Sequence, residues 1–531
     1  MKKFLMLLLC VTLIGMVLSC SRSGSGGGDS GAKKDRILRW GDYEMPDVGN
    51  LDVNLTNLNV IYQLSDMMLD TLVMKDPATM EIKPCLADLP TVSQDNLTYT
   101  FKLKEGIKFS NGEELTSEDV EFTFYRIYAP EYEGINTWYA DMISGADALI
   151  NGEADRLSGF ETIDKYSFRI RLDYPFGAFT AVLASSAFGI VNKKACLAAG
   201  DRWGLDTIVG TGAYKLAEFE PSVRVLFVPN PDTQTRTVPD LDGVEMIFMD
   251  RNTSLMEFEA GTIDLVELSN DIAHIYRDDP KYAKNISYKE YQATAYLMLN
   301  SGMPPLDDVR VRKAICIAID PSEIVNNFLM GNVTQAHTYI PKGMVGYSDN
   351  APKIEVNVEE AKRLLAEAGY PNGITFRAAQ TDGSMYLDML QIMQQQLIKA
   401  NITLVIDLMD SAAWMDTRTS GNMMSYCNTY TADYPDPDQF FYSIFKTDVA
   451  RHRSTGLRDP DVDARINAGR FMINPAEKQA HYAGLDYFIV HEHCNLRPLY
   501  YSASTCLISE RVENVFMKSD RLMSFWDAKI K

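Results

Sequence analysis

The sequence predicts a mixed α/β fold with more than one domain. Its 531 residues exceed what a single hydrophobic core usually organises. From residue 36 onward, short runs with the two-residue alternation of strands are interleaved with amphipathic runs that have the period of helices. We find no internal repeats, so a mixed α/β class accounts best for the pattern.

The first clear strand and helix lie between residues 98 and 127. The run "TYTFKLKEGIKF" (98–109) alternates apolar and polar residues and ends at the turn "SNG". In the following "LTSEDVEFTFYRI", Thr116 is a suitable N-cap, and Asp119 in the first turn complements the positive end of a helix. Further helices are predicted over 311–320, 357–369 and 390–400, and further strands over 296–300 and 402–409.

The net charge limits the classes of partner. It is −21 at pH 7, and the sequence pI is near 4.8. Such a surface repels phosphate, so we exclude nucleic acid as a partner. An acidic surface also keeps a protein soluble, and it does not by itself indicate a ligand.

The first 35 residues have the pattern of an export signal followed by a tether. "MKK" precedes an apolar run over residues 4–17, which is shorter than the roughly 20 residues of a membrane-spanning helix. "VLSC" resembles a bacterial lipobox, so residues 1–19 are expected to be removed and Cys20 to be acylated, which anchors the chain to a membrane. The Gly/Ser-rich residues 20–35 then form a flexible tether. A plain cleaved signal peptide is the alternative.

Six cysteines follow Cys20, and their spacing matches no zinc or redox motif. Export permits disulfides, and Cys494 and Cys506 are spaced so that they could bridge a hairpin. Burial as small apolar side chains is at least as compatible with the sequence.

The stretch "YTADYPDPDQFF" (430–441) concentrates acidic residues. Counted as a calcium loop from Asp433 it fails, because it lacks the central Gly and ends on an apolar residue instead of Glu. Asp436, followed by a proline, and Asp438 match the start of a helix, with Gln439 where a capping box places Glu or Gln. Asp433 has no such local role, so we expect it to present a charge from a rigid turn.

Five motifs in order resemble one family. They are "YTFKLKEGIKFSNGEELTSEDVEFTFYRI", "VGTGAYKL" (209–216), "MPPLDDVRVRKAICIAID" (303–320), "AKRLLAEAGYP" (361–371) and "ADYPDPDQF" (432–440). The chain is similar over residues 36–531 to extracellular solute-binding proteins of the oligopeptide/dipeptide/nickel class, which serve ABC importers.

The resemblance implies a two-lobed periplasmic-binding-protein-like α/β fold with a hinge and a ligand cleft between the lobes. Lobe I would comprise residues 36–70, 189–293 and 505–531, and lobe II residues 294–504. Residues 71–188 would form an extra small α/β domain. The strand "AYLMLN" (295–300) would cross the hinge, and ligand binding would close the lobes rigidly.

The resemblance also implies a peptide site. Asp433 falls where the peptide-binding members pair an aspartate with the ligand's α-ammonium, and Tyr430 replaces the usual Trp beside it. The peptide backbone would bond two sheet edges, Asn59–Val60 in the first lobe and Thr429–Thr431 in the second. The usual carboxylate-binding arginines are missing: "AQTDGSMY" (379–386) has no basic residue, and Cys427 occupies the other position. Arg377 or Arg418 are the remaining candidates.

The implied function is a lipid-anchored receptor that captures di- to oligopeptides and delivers them to an ABC permease and its ATPase subunits. We expect an exported monomer that faces the periplasm or the extracellular side, with no cofactor. The alternative ligand is a nickel chelate, an oligosaccharide or an opine. No HExxH, GxSxG or P-loop motif occurs, so we do not expect an enzyme.

One rival site is the run "HEHC" (491–494). On a strand, His491 and His493 would share a face and could bind a metal. The flanking sequence instead resembles the family's junction between a helix and its last crossing strand, so we expect no metal.

Overall fold

The fold is described from a computed structural model over residues 36–42, 49–56, 58–77, 79–137 and 141–531. The predicted signal peptide, Cys20 and the tether lie outside the described residues. The strands there are Ile37–Asp42 (β1), Val73–Lys75 (β2), Ile82–Pro84 (β3), Thr91–Val92 (β4), Thr98–Lys102 (β5), Phe160–Thr162 (β6), Ser167–Arg171 (β7), Tyr214–Glu220 (β8), Arg224–Pro229 (β9), Gly243–Phe248 (β10), Leu265–Leu268 (β11), Ile286–Leu299 (β12), Thr334–Gln335 (β13), Ile374–Thr381 (β14), Ile402–Met409 (β15), Ser425–Thr431 (β16), Leu496–Ile508 (β17), Val512–Glu513 (β18), Phe516–Met517 (β19), Met523–Ser524 (β20) and Lys529–Ile530 (β21).

The helices alternate with these strands, as the mixed α/β class predicts. They are Asn59–Met68 (α1), Ser117–Tyr128 (α2), Ala146–Ile150 (α3), Phe179–Val182 (α4), Lys193–Ala199 (α5), Arg251–Ala260 (α6), Ala273–Asp278 (α7), Val309–Ala318 (α8), Pro321–Glu323 (α9), Val358–Glu367 (α10), Met385–Ile398 (α11), Ser411–Thr419 (α12), Asp438–Phe445 (α13), Thr447–Ala450 (α14), Pro460–Phe471 (α15) and Pro475–Tyr487 (α16). Two π-helices, Ile324–Phe328 and Phe488–His493, follow α9 and α16. Within the described ranges, no helix is both long and apolar enough to span a membrane.

A nine-stranded sheet runs through the whole fold in the order β16-β12-β17-β11-β1-β10-β9-β8, with β13 also paired to β17. The long strands β12 and β17 are antiparallel partners. Their register breaks between Glu290 and Thr294 and shifts once more between Ala295 and Tyr296, so residues 291–293 separate the two main segments of the ladder. The break marks the point where the sheet passes from one core to the next.

Separate hydrophobic cores lie on the two sides of this break. The first core is built from buried residues of the ranges 38–265 and 506–528 together with Tyr434, which follows Asp433 in the chain, and a small separate cluster comprises residues of the range 258–282 and Leu507. The four-stranded sheet β4-β5-β7-β6 and helix α2 contribute to this same core, so residues 71–188 do not have a separate one. Two further cores lie among residues 295–503. We call the part around the first core the first lobe, and the part around the other two the second lobe.

The structure confirms the predicted elements, with some ends shifted. Helix α2 begins after Thr116, whose capping box with Asp119 is formed. Strand β5 is shorter than the alternating run 98–109, because the chain turns at Gly106, which has a φ of +80°. The three other predicted helices correspond to α8, α10 and α11, and the two other predicted strands to β12 and β15.

A disulfide between Cys494 and Cys506 is excluded. Cys494 precedes β17 and Cys506 lies near the other end of that strand. Because a strand rises about 3.3 Å per residue, the two Cα atoms are roughly 30 Å apart, and a disulfide requires less than about 7 Å. The six cysteines of the described chain are buried free thiols. The possible hairpin bridge was therefore wrong, and the alternative of small buried side chains is confirmed.

Candidate functional site

Strand β16 forms one edge of the nine-stranded sheet, since β12 is its only hydrogen-bonded partner in the described chain. The Ala432 N–H donates to the carbonyl of Gln292 in β12 at 2.9 Å. The Cys427 carbonyl faces the other way and accepts from the Gln380 side chain at 3.1 Å. Because backbone groups alternate along a strand, Thr429 and Thr431 direct their N–H and C=O groups to the open edge.

The side chains of Thr429 and Tyr430 are held within the second lobe. Thr429 Oγ1 accepts a hydrogen bond of 2.8 Å from the Tyr386 hydroxyl of α11. The Tyr430 hydroxyl lies 2.5 Å from Ser443 Oγ, and its ring meets the ring of Phe440 at 5.2 Å. Burial raises the pKa of Tyr430. The Tyr430 side chain therefore packs inside the second lobe, and its hydroxyl is hydrogen-bonded within the protein.

Asp433 lies on the loop between β16 and α13 and is half-buried. Its backbone N–H donates to Gln439 Oε1 at 2.6 Å, and Gln439 Nε2 donates to the Asp433 carboxylate. Gln439 is buried. The expectation that Asp433 has no local role was therefore wrong, and so was the capping-box role of Gln439. Its amide fixes the orientation of the carboxylate instead.

The two neighbouring aspartates have more than the helix-terminal roles predicted. Asp436 Oδ1 accepts from the Asp438 N–H at 3.0 Å, as a capping residue would, although α13 begins only at Asp438. The other oxygen of Asp436 forms a buried ion pair with Lys478. Asp438 is buried and lies 3.3 Å from the guanidinium of Arg470. Burial raises the pKa of Asp438 to about 7, against the opposing charge of Arg470. Two buried cations of α15 and α16 thus hold the loop.

Asn59 and Val60 are not on a sheet edge. They open helix α1, because the apolar residues of "NVIYQLSDMM" recur with helical spacing. The strand-like pairing expected for them is therefore wrong. Both residues line a cavity of the first lobe whose wall combines apolar side chains with the charges of Glu267 and Arg521.

The first-lobe cavity and the Asp433 loop are connected through the backbone. The Ala432 N–H bonds the Gln292 carbonyl, and the Gln292 N–H bonds the Ser519 carbonyl, both at 2.9 Å. Arg521 follows two residues after Ser519, 5.9 Å from the ring of Tyr291 and 3.5 Å from Glu267. The loop, the break in β12 and the turn that leads to Arg521 therefore run side by side at the boundary between the lobes.

Sequence reasoning missed Glu267, Arg521 and Gln439. Glu267 left one signal, since it is a charged residue inside the apolar strand "LVEL". Gln439 was noticed only as a capping-box residue, although its partner Asp433 is six residues away, and Arg521 left no signal, because its partner Glu267 is brought close only by tertiary structure.

Both arginines considered for a ligand carboxylate already contact other side chains of the second lobe. Arg377 is ion-paired with Asp407, 30 residues further along the chain. Arg418 is buried, with its guanidinium 5.0 Å from the ring of Trp414. Cys427 is likewise buried. Arg521 is the arginine that lines the first-lobe cavity.

The "HEHC" run does not form the strand that a shared metal-binding face would need. His491 and His493 belong to a π-helix. The His491 ring stacks on Tyr487 at 4.9 Å, and His493 Nε2 lies 3.2 Å from Asp459. Across the described residues, no cluster of three or more His, Cys, Asp or Glu side chains could hold a metal ion.

Comparison with known proteins gives one family. Residues 81–451 match the model of bacterial extracellular solute-binding proteins, family 5 Middle. Heme-binding protein A of Haemophilus influenzae is 25% identical over 476 residues, which cover 85% of this chain and 84% of that protein. The periplasmic oligopeptide-binding protein OppA of Salmonella typhimurium is 24% identical over 455 residues, covering 80% and 82%. The structure of the Escherichia coli murein tripeptide binding protein MppA superposes with a TM-score of 0.77 at 21% identity, over 94% of this chain and 99% of that one.

Proposed function

Because this chain belongs to the bacterial extracellular solute-binding proteins of family 5, we propose that it captures peptides between its lobes and delivers them to an ABC importer. The lobes would be residues 36–70, 189–293 and 505–531 on one side and 294–504 on the other, with 71–188 attached to the first. The observation that carries the proposal is a carboxylate, Asp433, held by Gln439 beside an open strand edge.

A peptide with a free amino terminus matches both features. The open edge at Thr429 and Thr431 offers backbone donors and acceptors that a peptide can bond regardless of its side chains. An ammonium buried at the lobe boundary is costly unless a carboxylate pairs with it, and Asp433 is a carboxylate at that boundary. The combination selects an amino terminus and tolerates many sequences.

The first lobe would contact the other face of the ligand. In place of a second sheet edge, Asn59 and Val60 supply the start of helix α1 to the cavity wall. The same wall holds the guanidinium of Arg521, which is paired with Glu267. The cavity has a volume of only about 30 Å³, so ligand side chains would lie against its mixed wall and not inside it, and the backbone contacts would belong to the second lobe.

Export and anchoring belong to the same proposal. The family is extracellular, and the sequence of residues 1–35 has a signal, a lipobox-like "VLSC" and a Gly/Ser tether. Acylation of Cys20 would anchor the receptor to a membrane.

Native mass spectrometry of the exported protein, purified without denaturation, tests the ligand class. We expect a heterogeneous mass excess that denaturation releases as short peptides with free amino termini. The variant Asp433→Asn should retain much less of this material when it is purified in the same way. Recovery of a porphyrin, a metal chelate, a glycan or an opine as the bound species would contradict the peptide proposal, and one relative is named for heme.

A further inference from the structure

A short segment of the first lobe, residues 174–177, touches the end of helix α15 in the second lobe. The Gly177 N–H donates to the Arg470 carbonyl at 2.8 Å. The rings of Tyr174 and Phe471 meet edge to face with centroids 5.8 Å apart. Phe176 belongs to the first core, whereas Val462 and Ile466 of α15 belong to a core of the second lobe.

The Arg470 side chain contacts both lobes at once. Its guanidinium lies 4.8 Å from the ring of Phe176 in the first lobe. In the second lobe it lies 3.7 Å from the ring of Tyr442 and 3.3 Å from the Asp438 carboxylate. Asp438 begins helix α13, directly after the loop that carries Asp433. One buried cation therefore joins the ligand loop to the first lobe.

The contact requires a glycine at position 177. A Cβ added there would lie 2.0 Å from the backbone carbonyl oxygen of Met472, a distance that no small side-chain movement relieves. It would also lie 3.5 Å from the Lys478 ammonium, which holds Asp436. Arg470 and Lys478, the two cations that support the loop, therefore both lie close to Gly177.

We propose that Arg470 is a positioning residue for ligand capture. The contact of Arg470 with the 174–177 segment, which we call the clasp, brings the Asp433 loop into its binding geometry only when the two lobes are in contact. The inference rests on the proposed function. It assigns to the 71–188 region a role in closing the site, through contacts that lie outside the ligand cavity.

Two variants and a matched control test the clasp in the full-length protein. Gly177→Ala introduces the clash with Met472, and Phe471→Ala removes the exposed half of the aromatic pair, with little risk to folding. Gly484→Ala is the control, because a Cβ at that position in α16 meets nothing. Trialanine with free termini is the probe.

Hydrogen exchange and small-angle scattering follow the change that ligand binding causes. A residue that only stabilises the fold would leave this change unaltered. In the wild type, the Gly177 amide, which bonds the Arg470 carbonyl, should exchange more slowly with saturating trialanine than without it, and the radius of gyration should fall. In Gly177→Ala both differences should shrink, and trialanine affinity should weaken about tenfold, the scale of one lost hydrogen bond. Phe471→Ala should weaken it about two- to tenfold, the scale of one aromatic pair.

Each contrary result has a distinct meaning. Variants that bind trialanine and exchange like the Gly484→Ala control would overturn the clasp and leave the peptide proposal intact. The same holds if the wild-type Gly177 amide is equally protected with and without ligand. If the wild type does not bind trialanine, the failure lies with the proposed peptide function. The clasp is then tested in the ligand-free protein, in which Gly177→Ala should lower the fraction of molecules with the lobes in contact and therefore have a larger radius of gyration than Gly484→Ala, and equal radii would overturn it.

Discussion

The side-chain amide of Gln439 contacts Asp433 twice, accepting from its backbone N–H at 2.6 Å and donating to its carboxylate. An acid held at both its main chain and its side chain has little freedom to turn away from a ligand. Asp433 therefore provides the negative charge, and Gln439 fixes the direction in which the carboxylate points.

The contribution of Gln439 to ligand binding can be measured with Gln439→Met, which keeps the side-chain length and removes the amide. We expect peptide affinity to fall about tenfold, since the carboxylate keeps its charge but loses the bond that orients it. Calorimetry gives the affinity, and Gln394→Met is the control, because its amide bonds the Leu404 carbonyl instead. Equal affinities in the two variants would mean that Gln439 does not position Asp433.

Asp436→Asn is expected to destabilise the fold strongly. The neutral amide still caps the Asp438 N–H, which alone would make the change mild. However, it leaves the buried Lys478 ammonium without its partner carboxylate, a loss of about 3–5 kcal/mol in the free energy of unfolding.

Denaturant unfolding measures this loss. Adding Lys478→Met to Asp436→Asn should recover most of it, because the uncompensated charge is then gone. Asp206→Asn, which breaks an exposed pair with Arg202, should cost at most about 1 kcal/mol. A similarly small effect of Asp436→Asn would show that the ion pair with Lys478 contributes little.

Asp486 is expected to make stability fall as pH rises. Its buried carboxyl accepts the N–H groups of Tyr339 and Ile340, and burial raises its pKa to about 7. The folded state then keeps a proton that the unfolded state releases above about pH 4. The contribution of Asp486 is therefore largest below about pH 4 and is lost toward pH 7, by up to about 1.4 kcal/mol per pH unit.

Asp486→Asn removes this proton and still accepts both N–H groups. Unfolding free energies measured at pH 5 and pH 8 should show a smaller decrease for the variant than for the wild type. The exposed Asp416→Asn serves as the control and should keep the wild-type decrease. Identical decreases in wild type and Asp486→Asn would contradict the raised pKa.

The sequence predicts well those features that depend on neighbours in the chain. The Thr116–Asp119 capping box is such a case, since both partners lie within one helical turn. The partners of the 430–441 acids are not, because Lys478 is 42 residues from Asp436 and is brought close only by tertiary packing. Local pattern therefore predicted helix-terminal roles for acids that are also buried ion-pair partners.

The same contrast applies to the candidate site. The edge position of Thr429 and Thr431 agrees with what the resemblance implied, since sheet order is a property of the fold. The start of α1 at Asn59 was misassigned to a strand, although its apolar spacing is helical. Arg521 depends on the C-terminal turn returning to β12, which no local motif announces.

The predicted lipid anchor can be tested by changing one atom. Cys20→Ser removes the thiol that would carry the acyl chains, so the protein should move from the membrane fraction to the soluble fraction. Fractionation and immunoblotting of cells that express each form measure this. Equal membrane association of both forms would contradict the lipoprotein hypothesis.

The central claim is that Asp433 pairs with the amino terminus of a bound peptide. The most direct measurement is a two-by-two calorimetric cycle, with wild type and Asp433→Asn each titrated with a peptide and its N-acetylated form. Losing one partner of a buried ion pair costs on the order of 3–5 kcal/mol, so either change alone should weaken binding severely. Both together should cost little more than one, because they remove the same contact. Fully additive losses would contradict the pairing and remove the main support for a peptide ligand.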